Sequence, residues 1–371
     1  YINQNLNLDE PYLYLKSEMN FISKYKSFSK NVMSLPTNDK IERLLKKNIK
    51  TKNMKLSYSK FLASKNINYN IEICSICNSY KMMCSQGSLW STDYEIKKLI
   101  EKDKLIYLPE HKLDKFTEME NNVHCKISNN SETLNIVFDY VFIAAGPFGT
   151  SKIFLNSDIV NEVTIESSDL ITIPYITKPY RNFNHTSHPE LFIEDVVEEK
   201  LIYSQLYLYS DNLLKIFTNH NKFLSTFRFA PNIIKNIFGG LRIFLDPKIS
   251  SKIHLTKEYT NKVKKNIEIY DQQKQKQIVM NHLNKYRDYE ILPLNFLKKT
   301  LNNGESYHFG SQFKHAVLDK NNCSDDLGRI KDLKKTFVVD SSVLPLVNTG
   351  PITFTTMANS YRITKKFLER L

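Results

Sequence analysis

Alternation of apolar and polar residues over short segments dominates residues 92–150. It predicts strands at 105–108, 112–120, 123–128 and 134–138, which together form a small antiparallel meander with Asn-rich turns. Before them, apolar residues at helical spacing predict an amphipathic helix over 92–102, with Thr92 as its cap and Glu95 three residues on. After them, an apolar run at 140–145 predicts a buried strand that leads into a helix containing 152–155.

The segment from 160 to 302 reads as a second unit. Strand-like runs occur at 170–176, 201–209, 241–244 and 252–255, and helical spacing occurs at 212–218 and 259–280. The alternation of these elements predicts an inserted antiparallel sheet with covering helices.

The C-terminal pattern is a strand, a polar loop and a helix. Residues 336–339 are apolar and β-branched, the polar loop begins at Asp340 and Ser341, and Pro345 prevents a continuing central strand. Apolar spacing then predicts a helix that starts near Pro351 and has no acidic residue in its first turn. Its free N-terminal amides suit an anion or an electron-rich ring oxygen. An ordinary buried strand, loop and helix is the alternative interpretation.

Composition limits the function classes. The chain has 371 residues, is 41% hydrophobic and carries a formal charge of +13. Its 52 Lys and Arg residues are spread over the whole length, which is typical of a solvated surface, so we predict no nucleic-acid partner. No apolar run is long enough to span a membrane. Five cysteines, an odd number, do not indicate a disulfide framework, and we predict a reducing, cytoplasmic location.

Two residue types invite a metal interpretation. Cys74, Cys77 and Cys84 fit the spacing of a ferredoxin-like cluster in which Tyr80 replaces the third ligand. A complete site would need a distant cysteine, Cys125 or Cys323, so we favour buried thiols and predict no metal. The histidines of the central segment lack metal spacing and are predicted to be surface or hydrogen-bonded residues; they are His185, His188, His220, His254 and His282.

Three separated pieces occur in a specific order. The first is Phe-Ile-Ala-Ala-Gly-Pro-Phe-Gly-Thr-Ser at 142–151, the second is Ser-Tyr-His-Phe-Gly-Ser at 306–311, and the third is Val-Val-Asp-Ser-Ser-Val-Leu-Pro at 338–345, followed by residues 353–362. Together they resemble the glucose-methanol-choline (GMC) oxidoreductase family of FAD enzymes, and its bacterial branch in particular. The resemblance covers residues 70–160 and 303–371 well and residues 160–300 loosely.

The resemblance implies a fold and a reaction. The fold class would be α/β (α+β): an incomplete, Rossmann-like FAD-binding domain of GMC type with an inserted antiparallel-sheet substrate domain. Residues 67–159 and 303–371 would form the FAD-binding domain, 160–302 the substrate-binding domain and 1–66 a helical N-terminal segment. The chain would oxidise a small-molecule alcohol or sugar by hydride transfer to flavin, with an electron acceptor that the sequence does not identify.

The resemblance also assigns residues. His308 would take the hydroxyl proton, a task that suits an imidazole because its pKa lies near working pH. Asn348 is the nearest candidate for the second catalytic position, although it is slightly out of register. FAD would lie against the small residues Ala144, Ala145 and Gly146. Asp340 and Ser341, with the helix start at Pro351, Ile352 and Thr353, would contact its ring end.

One family feature is missing from the sequence. Family members begin with a Gly-x-Gly-x-x-Gly turn that holds the FAD pyrophosphate, and no such motif occurs here among nine glycines. Because the chain also starts at Tyr1, we expect it to be the C-terminal part of a longer enzyme. The alternative hypothesis is a non-catalytic binding or assembly protein that keeps the GMC fold without the cofactor.

Overall fold

The structure is a computed structural model. It describes residues 6–18, 20–23, 54–58, 60–63, 92–178, 191–209, 237–258, 263–297, 299–300, 306–315 and 322–371. The helices of these described residues are α1 (Asp9–Glu18), α2 (Thr92–Glu101), α3 (Gly146–Asn156), α4 (Gln272–Asn284) and α5 (Thr353–Leu368). Short 3-10 turns lie at Pro247–Ile249, Lys285–Tyr289, Asn295–Leu297 and Ser341–Val343.

The strands are numbered in chain order. They are β1 (Asn20–Ser23), β2 (Lys55–Tyr58), β3 (Lys60–Ala63), β4 (Lys112–Glu118), β5 (Val123–Ser128), β6 (Thr133–Phe138), β7 (Val141–Ile143), β8 (Glu162–Ser167), β9 (Leu170–Thr177), β10 (Leu191–Val197), β11 (Lys200–Leu208), β12 (Phe238–Phe244), β13 (Lys252–Lys257), β14 (Val263–Glu268), β15 (Ile291–Pro293), β16 (Lys299–Thr300), β17 (Phe309–Gly310) and β18 (Thr336–Val338).

The predicted meander is confirmed in three of its four strands. Strands β4, β5 and β6 pair in order as an antiparallel sheet. The strand predicted at 105–108 is wrong: these residues are irregular, and Ile106 is 89% exposed. Apolar character alone does not make a strand, because a strand needs a ladder partner, and no strand among the described residues pairs with this segment.

A parallel strand pair joins the middle of the chain to its C-terminal part. Strands β7 and β18 pair with Ile143 opposite Val338, and α3 follows β7 directly. Both strands share one apolar core with α3, to which Phe154 contributes a fully buried ring. The predicted strand at 336–339 and the predicted helix start near Pro351 are therefore confirmed as β18 and α5.

A four-stranded antiparallel sheet of order β14-β13-β8-β17 lies beside this pair. The helix predicted over 259–280 is wrong in its first half, because residues 263–268 form the edge strand β14 against β13. Helix α4 starts only at Gln272, where the Asp271 carboxylate accepts hydrogen bonds from the amides of Gln273 and Lys274. Pairing with β13 therefore overrides local helix preference in the Lys-rich segment.

The largest sheet has seven strands in the order β15-β9-β12-β11-β10-β2, with β16 beside β9. One face is apolar and packs against α4, which contributes Ile278, Val279 and Leu283 to a common core. The opposite face carries larger polar and aromatic residues and points toward the loop that contains His308, since Phe244 of β12 stacks on the imidazole. A mixed α and β fold with antiparallel sheets agrees with the predicted class.

The predicted domain limits remain a prediction, and two observations bear on them. Strands β8 and β13, from the segment 160–302, share a core with β7, β18 and α3. The predicted helical segment 1–66 contains α1 but also β1, β2 and β3, and β2 joins the seven-stranded sheet through β10. The description of 1–66 as helical is therefore incomplete.

Helices α1 to α5 are 10 to 16 residues long. In the part of the chain that the structure describes, none of them combines the length and the apolar character that crossing a membrane requires.

Candidate functional site

The backbone of His308 is fixed between two sheets. Its carbonyl accepts a hydrogen bond from the Ser168 amide at 3.1 Å, and its amide donates to the Ser306 hydroxyl at 3.2 Å. Ser306 in turn donates to the Ser168 carbonyl. The imidazole lies flat on the Phe244 ring, with centroids 4.5 Å apart and an interplanar angle of 14°. Strands β8 and β12 thus position both the backbone and the ring.

The ring of His308 is neutral and incompletely bonded. Only 8% of the residue is exposed, and burial lowers its pKa to about 4, against a smaller rise from a hydrogen bond with the Thr349 backbone. Its Nδ1 is buried without a hydrogen-bond partner among the described residues. A neutral imidazole with an open nitrogen can accept a proton.

Asn348 lies in the turn before α5, and its assignment to the second catalytic position stays a prediction. Its side chain is half-buried, and its Oδ1 accepts a hydrogen bond from the Gly350 amide at 3.3 Å. The backbone of the next residue, Thr349, is the group that meets His308. Sequence reasoning missed Thr349 because a main-chain contact leaves no residue-type signature.

The start of α5 is open as predicted. Ile352 occupies the N-cap position without a side-chain hydrogen bond, and no acidic residue lies in the first turn. Pro351 and Thr353 are exposed, and Ile352 is half-buried. Because Thr349 lies only four residues before Thr353, the free helix end follows directly on the residue that contacts His308.

Asp340 is fully engaged within the chain. One carboxylate oxygen accepts hydrogen bonds from the Gly146 amide at 2.9 Å and the Thr150 hydroxyl at 2.6 Å. The other accepts from the Ser342 amide at 2.8 Å. The carboxylate therefore joins the N-terminus of α3 to the turn after β18.

The neighbouring predicted contacts differ in exposure. The Ser341 hydroxyl donates to the Phe309 carbonyl at 2.9 Å, which attaches the turn to β17. Ala144 and Ala145 are exposed. Gly146 has φ +72°, and the space where a side chain would begin is empty within 4 Å. The small-residue surface at the start of α3 is thus open, whereas its first amide is occupied by Asp340.

Unsatisfied polar atoms concentrate around His308. Among the described residues, six buried side-chain atoms have no hydrogen-bond partner, and four of them belong to His308, Ser311, Gln312 and Thr349. Ser311 also has φ +61°, in the left-handed region that is uncommon for serine. Buried polar atoms normally find partners, so such a cluster indicates a place where a ligand or water binds. Sequence offered no signal for it, because the pattern arises only from packing.

A second polar cluster lies on the opposite face of the seven-stranded sheet. His282 of α4 has Nδ1 2.8 Å from Asp195 Oδ2 and Nε2 2.8 Å from Ser204 Oγ. Lys285 donates to the second oxygen of Asp195 at 2.7 Å.

His254 lies within 3.0 Å of both Thr164 and Glu268. This histidine and His282 are hydrogen-bonded as predicted; His185, His188 and His220 lie outside the described residues.

Two of the five cysteines, Cys125 and Cys323, lie among the described residues. Cys74, Cys77 and Cys84 lie outside the described residues. Cys125 is buried in β5, where burial raises its pKa to about 11, and Cys323 is half-buried and free. Among the residues that the structure describes, no cluster of three metal-binding side chains occurs.

No protein-family model and no curated protein matches the sequence. The structure is similar to pyridoxine 4-oxidase from Mesorbium loti, with a TM-score of 0.46 and 11% identity over 70% of this chain. It is also similar to an FAD-dependent oxidoreductase from Chaetomium thermophilum, with a TM-score of 0.49 and 13% identity over 74% of this chain. The chain covers 57% and 64% of those two proteins, respectively.

Proposed function

We propose that the chain carries the alcohol-oxidising site of an FAD-dependent oxidoreductase of GMC type, in which His308 takes the hydroxyl proton of a small alcohol or sugar. The observation that carries the proposal is the open Nδ1 of a buried, neutral imidazole next to a free helix N-terminus. The order of the three sequence pieces at 142–151, 306–311 and 338–345 supports the same reaction.

The Thr349 backbone and the Phe244 ring would orient His308 for the proton transfer. The Thr349 backbone forms a hydrogen bond with His308, and Nδ1, which has no partner among the described residues, is left as the acceptor. The stack on Phe244 fixes the plane of the ring. Because only 8% of His308 is exposed, a substrate hydroxyl aimed at Nδ1 would meet little competition from water.

The residues around the start of α5 fit a flavin ring. FAD, when bound, would supply the hydride acceptor of the reaction. The backbone N–H groups of Ile352 and Thr353 have no competing side-chain cap or acid, and the backbone at 144–146 is open to a planar ring. Asp340 would act by holding residue 146 against the turn after β18, and Ser341 by attaching that turn to β17. Asn348 would act by fixing the turn before α5.

The test uses flavin binding and flavin reduction as separate measurements. We expect the chain, or the complete gene product, to take up FAD and to show bleaching of its absorbance when alcohols are added without oxygen. His308→Gln should lower the reduction rate by about 100-fold or more and leave FAD affinity unchanged. His254→Gln, on β13, is the control. Absence of FAD uptake by both proteins, or an unchanged rate in His308→Gln, would contradict the proposal.

The pH profile provides an independent check. Since the pKa of His308 is lowered to about 4, the imidazole stays unprotonated and able to act as a base far below the usual histidine range. The flavin reduction rate should therefore fall on the acid side only near pH 4, and no step should occur near pH 6.5. A half-maximal rate near pH 6.5 would mean that the buried, neutral His308 is not the base.

A specific observation also favours the second hypothesis, a non-catalytic binding or assembly protein. Asp340 and the first amide of α3 satisfy each other, so this helix end needs no nucleotide to complete it. In that case the chain and the complete gene product would stay colourless after incubation with FAD, and His308→Gln would change no measurable turnover. The cytoplasmic location and the absence of a nucleic-acid partner remain predictions.

A further inference from the structure

Arg242 of β12 lies between two tyrosine rings beside the proposed site. Its guanidinium carbon is 5.4 Å from the ring centre of Tyr207 and 5.8 Å from that of Tyr307. Tyr307 directly precedes His308 in the chain and is 62% exposed. Arg242 also donates a hydrogen bond to the Tyr207 side chain. A guanidinium has five N–H donors, so others are available for a further partner.

The strand register sets the separation between Arg242 and His308. Arg242 and Phe244 are two residues apart on β12, so they project from the same face of the sheet. The Tyr307 ring contacts Arg242, and the His308 ring stacks on Phe244. Two residues along a strand span roughly 7 Å, so the Cα atoms of Arg242 and Phe244 are about that far apart, and the guanidinium and the proposed base lie over neighbouring positions of one sheet face.

No acidic side chain of the described residues neutralises this cation. Arg242 is half-buried and forms no ion pair with any described Asp or Glu. The acid on the same sheet face is Glu194, which pairs with Tyr203 in register and lies 3.4 Å from Lys55. A half-buried guanidinium without a carboxylate favours an anion from outside the chain.

We propose that the site takes an alcohol that also carries an anionic group, a carboxylate or a phosphate, which Arg242 binds while the hydroxyl faces His308. This inference rests on the proposed function, since it uses His308 as the marker of the reacting end.

A structural role is the competing interpretation. Arg242 would then only fix Tyr307, and through it the backbone of His308. The two roles differ in what they do to neutral ligands: loss of an anion contact weakens only charged ligands, whereas loss of a fixing contact weakens charged and neutral ligands alike.

The experiment measures binding by calorimetry and does not depend on turnover. The probes are glycolate, 4-hydroxybutyrate and 4-(hydroxymethyl)benzoate, each compared with its neutral amide, on the complete gene product. We expect the acids, including the two longer ones, to bind about 10- to 100-fold more tightly than their amides. Arg242→Gln should abolish the preference without changing amide affinity. Arg287→Gln, which removes an exposed arginine elsewhere, is the matched control.

The outcomes separate this inference from the proposed function. Anion preference that depends on Arg242 in a protein without FAD would support the inference and count against the oxidoreductase. Flavin reduction by alcohols without any such preference would support the oxidoreductase and overturn the inference. Equal weakening of acids and amides in Arg242→Gln would assign Arg242 to positioning, and no binding of either longer acid would also overturn the inference.

Discussion

The two faces of the seven-stranded sheet each carry a buried histidine, and the two differ in how completely they are bonded. On the face toward α4, His282 has Asp195 on one nitrogen and Ser204 on the other, with the Tyr286 hydroxyl 3.2 Å from the same nitrogen as Ser204. On the opposite face, His308 has a hydrogen bond with the Thr349 backbone and an open Nδ1. Burial lowers the pKa of both imidazoles.

Burial therefore does not distinguish the two histidines, but hydrogen-bond completeness does. Ser204, His282 and Asp195 have the residue types and spacing of a nucleophilic triad. The Ser204 and His282 side chains are fully buried, so this cluster instead pins α4 to the sheet. The cluster around His308 leaves several polar atoms without partners, which costs stability unless a ligand completes them.

The largest expected effect comes from removing the carboxylate of the complete cluster. Asp195→Ala leaves His282 and Lys285 without their acceptor in a buried setting, and we expect the free energy of unfolding to fall by about 3–5 kcal/mol. Urea denaturation measures it. Asp288→Ala, an exposed position in the adjacent turn, should change it by less than about 0.5 kcal/mol. Similar small losses in both variants would show that the cluster contributes little.

A matched pair of substitutions compares the two histidines directly. His282→Phe keeps a ring but removes the partner of Asp195, Ser204 and Tyr286, so we expect a loss of about 2–4 kcal/mol. His308→Phe keeps the stack on Phe244 and removes only one backbone hydrogen bond, so the loss should be about 1 kcal/mol or less. The comparison breaks down if urea denaturation gives equal losses for the two variants.

The smallest effect concerns two buried threonines. Thr150 donates a 2.6 Å hydrogen bond to Asp340, so Thr150→Val should lower stability by about 1.5–3 kcal/mol. The Thr349 hydroxyl oxygen has no partner among the described residues, so Thr349→Val should be neutral or slightly stabilising, within about 0.5 kcal/mol. Thermal unfolding of both variants measures the difference. A clear loss in Thr349→Val would mean that this hydroxyl is already bonded, for example to ordered water.

Much of the fold could be predicted from periodicity alone. The period of two at 123–128 and 134–138 predicted β5 and β6, and the run at 201–209 predicted β11. The error at 259–280 has a physical cause: Lys, Asn and Glu tolerate a helix as well as an edge strand, and only the presence of β13 as a partner decided for β14. The strand predicted at 105–108 does not form, because none of the described strands pairs with this segment.

For the candidate site, the sequence by itself supplied His308 as a hypothesis and predicted the open start of α5. His308 could be singled out from its motif, and the absence of an acid near Pro351 could be read directly. The tertiary structure alone decided the surroundings of His308. The ring lies on Phe244, bonds the Thr349 backbone and lies next to the tyrosine-bound Arg242. These contacts join residues far apart in the chain, and burial and hydrogen-bond completeness depend on such contacts rather than on local residue type.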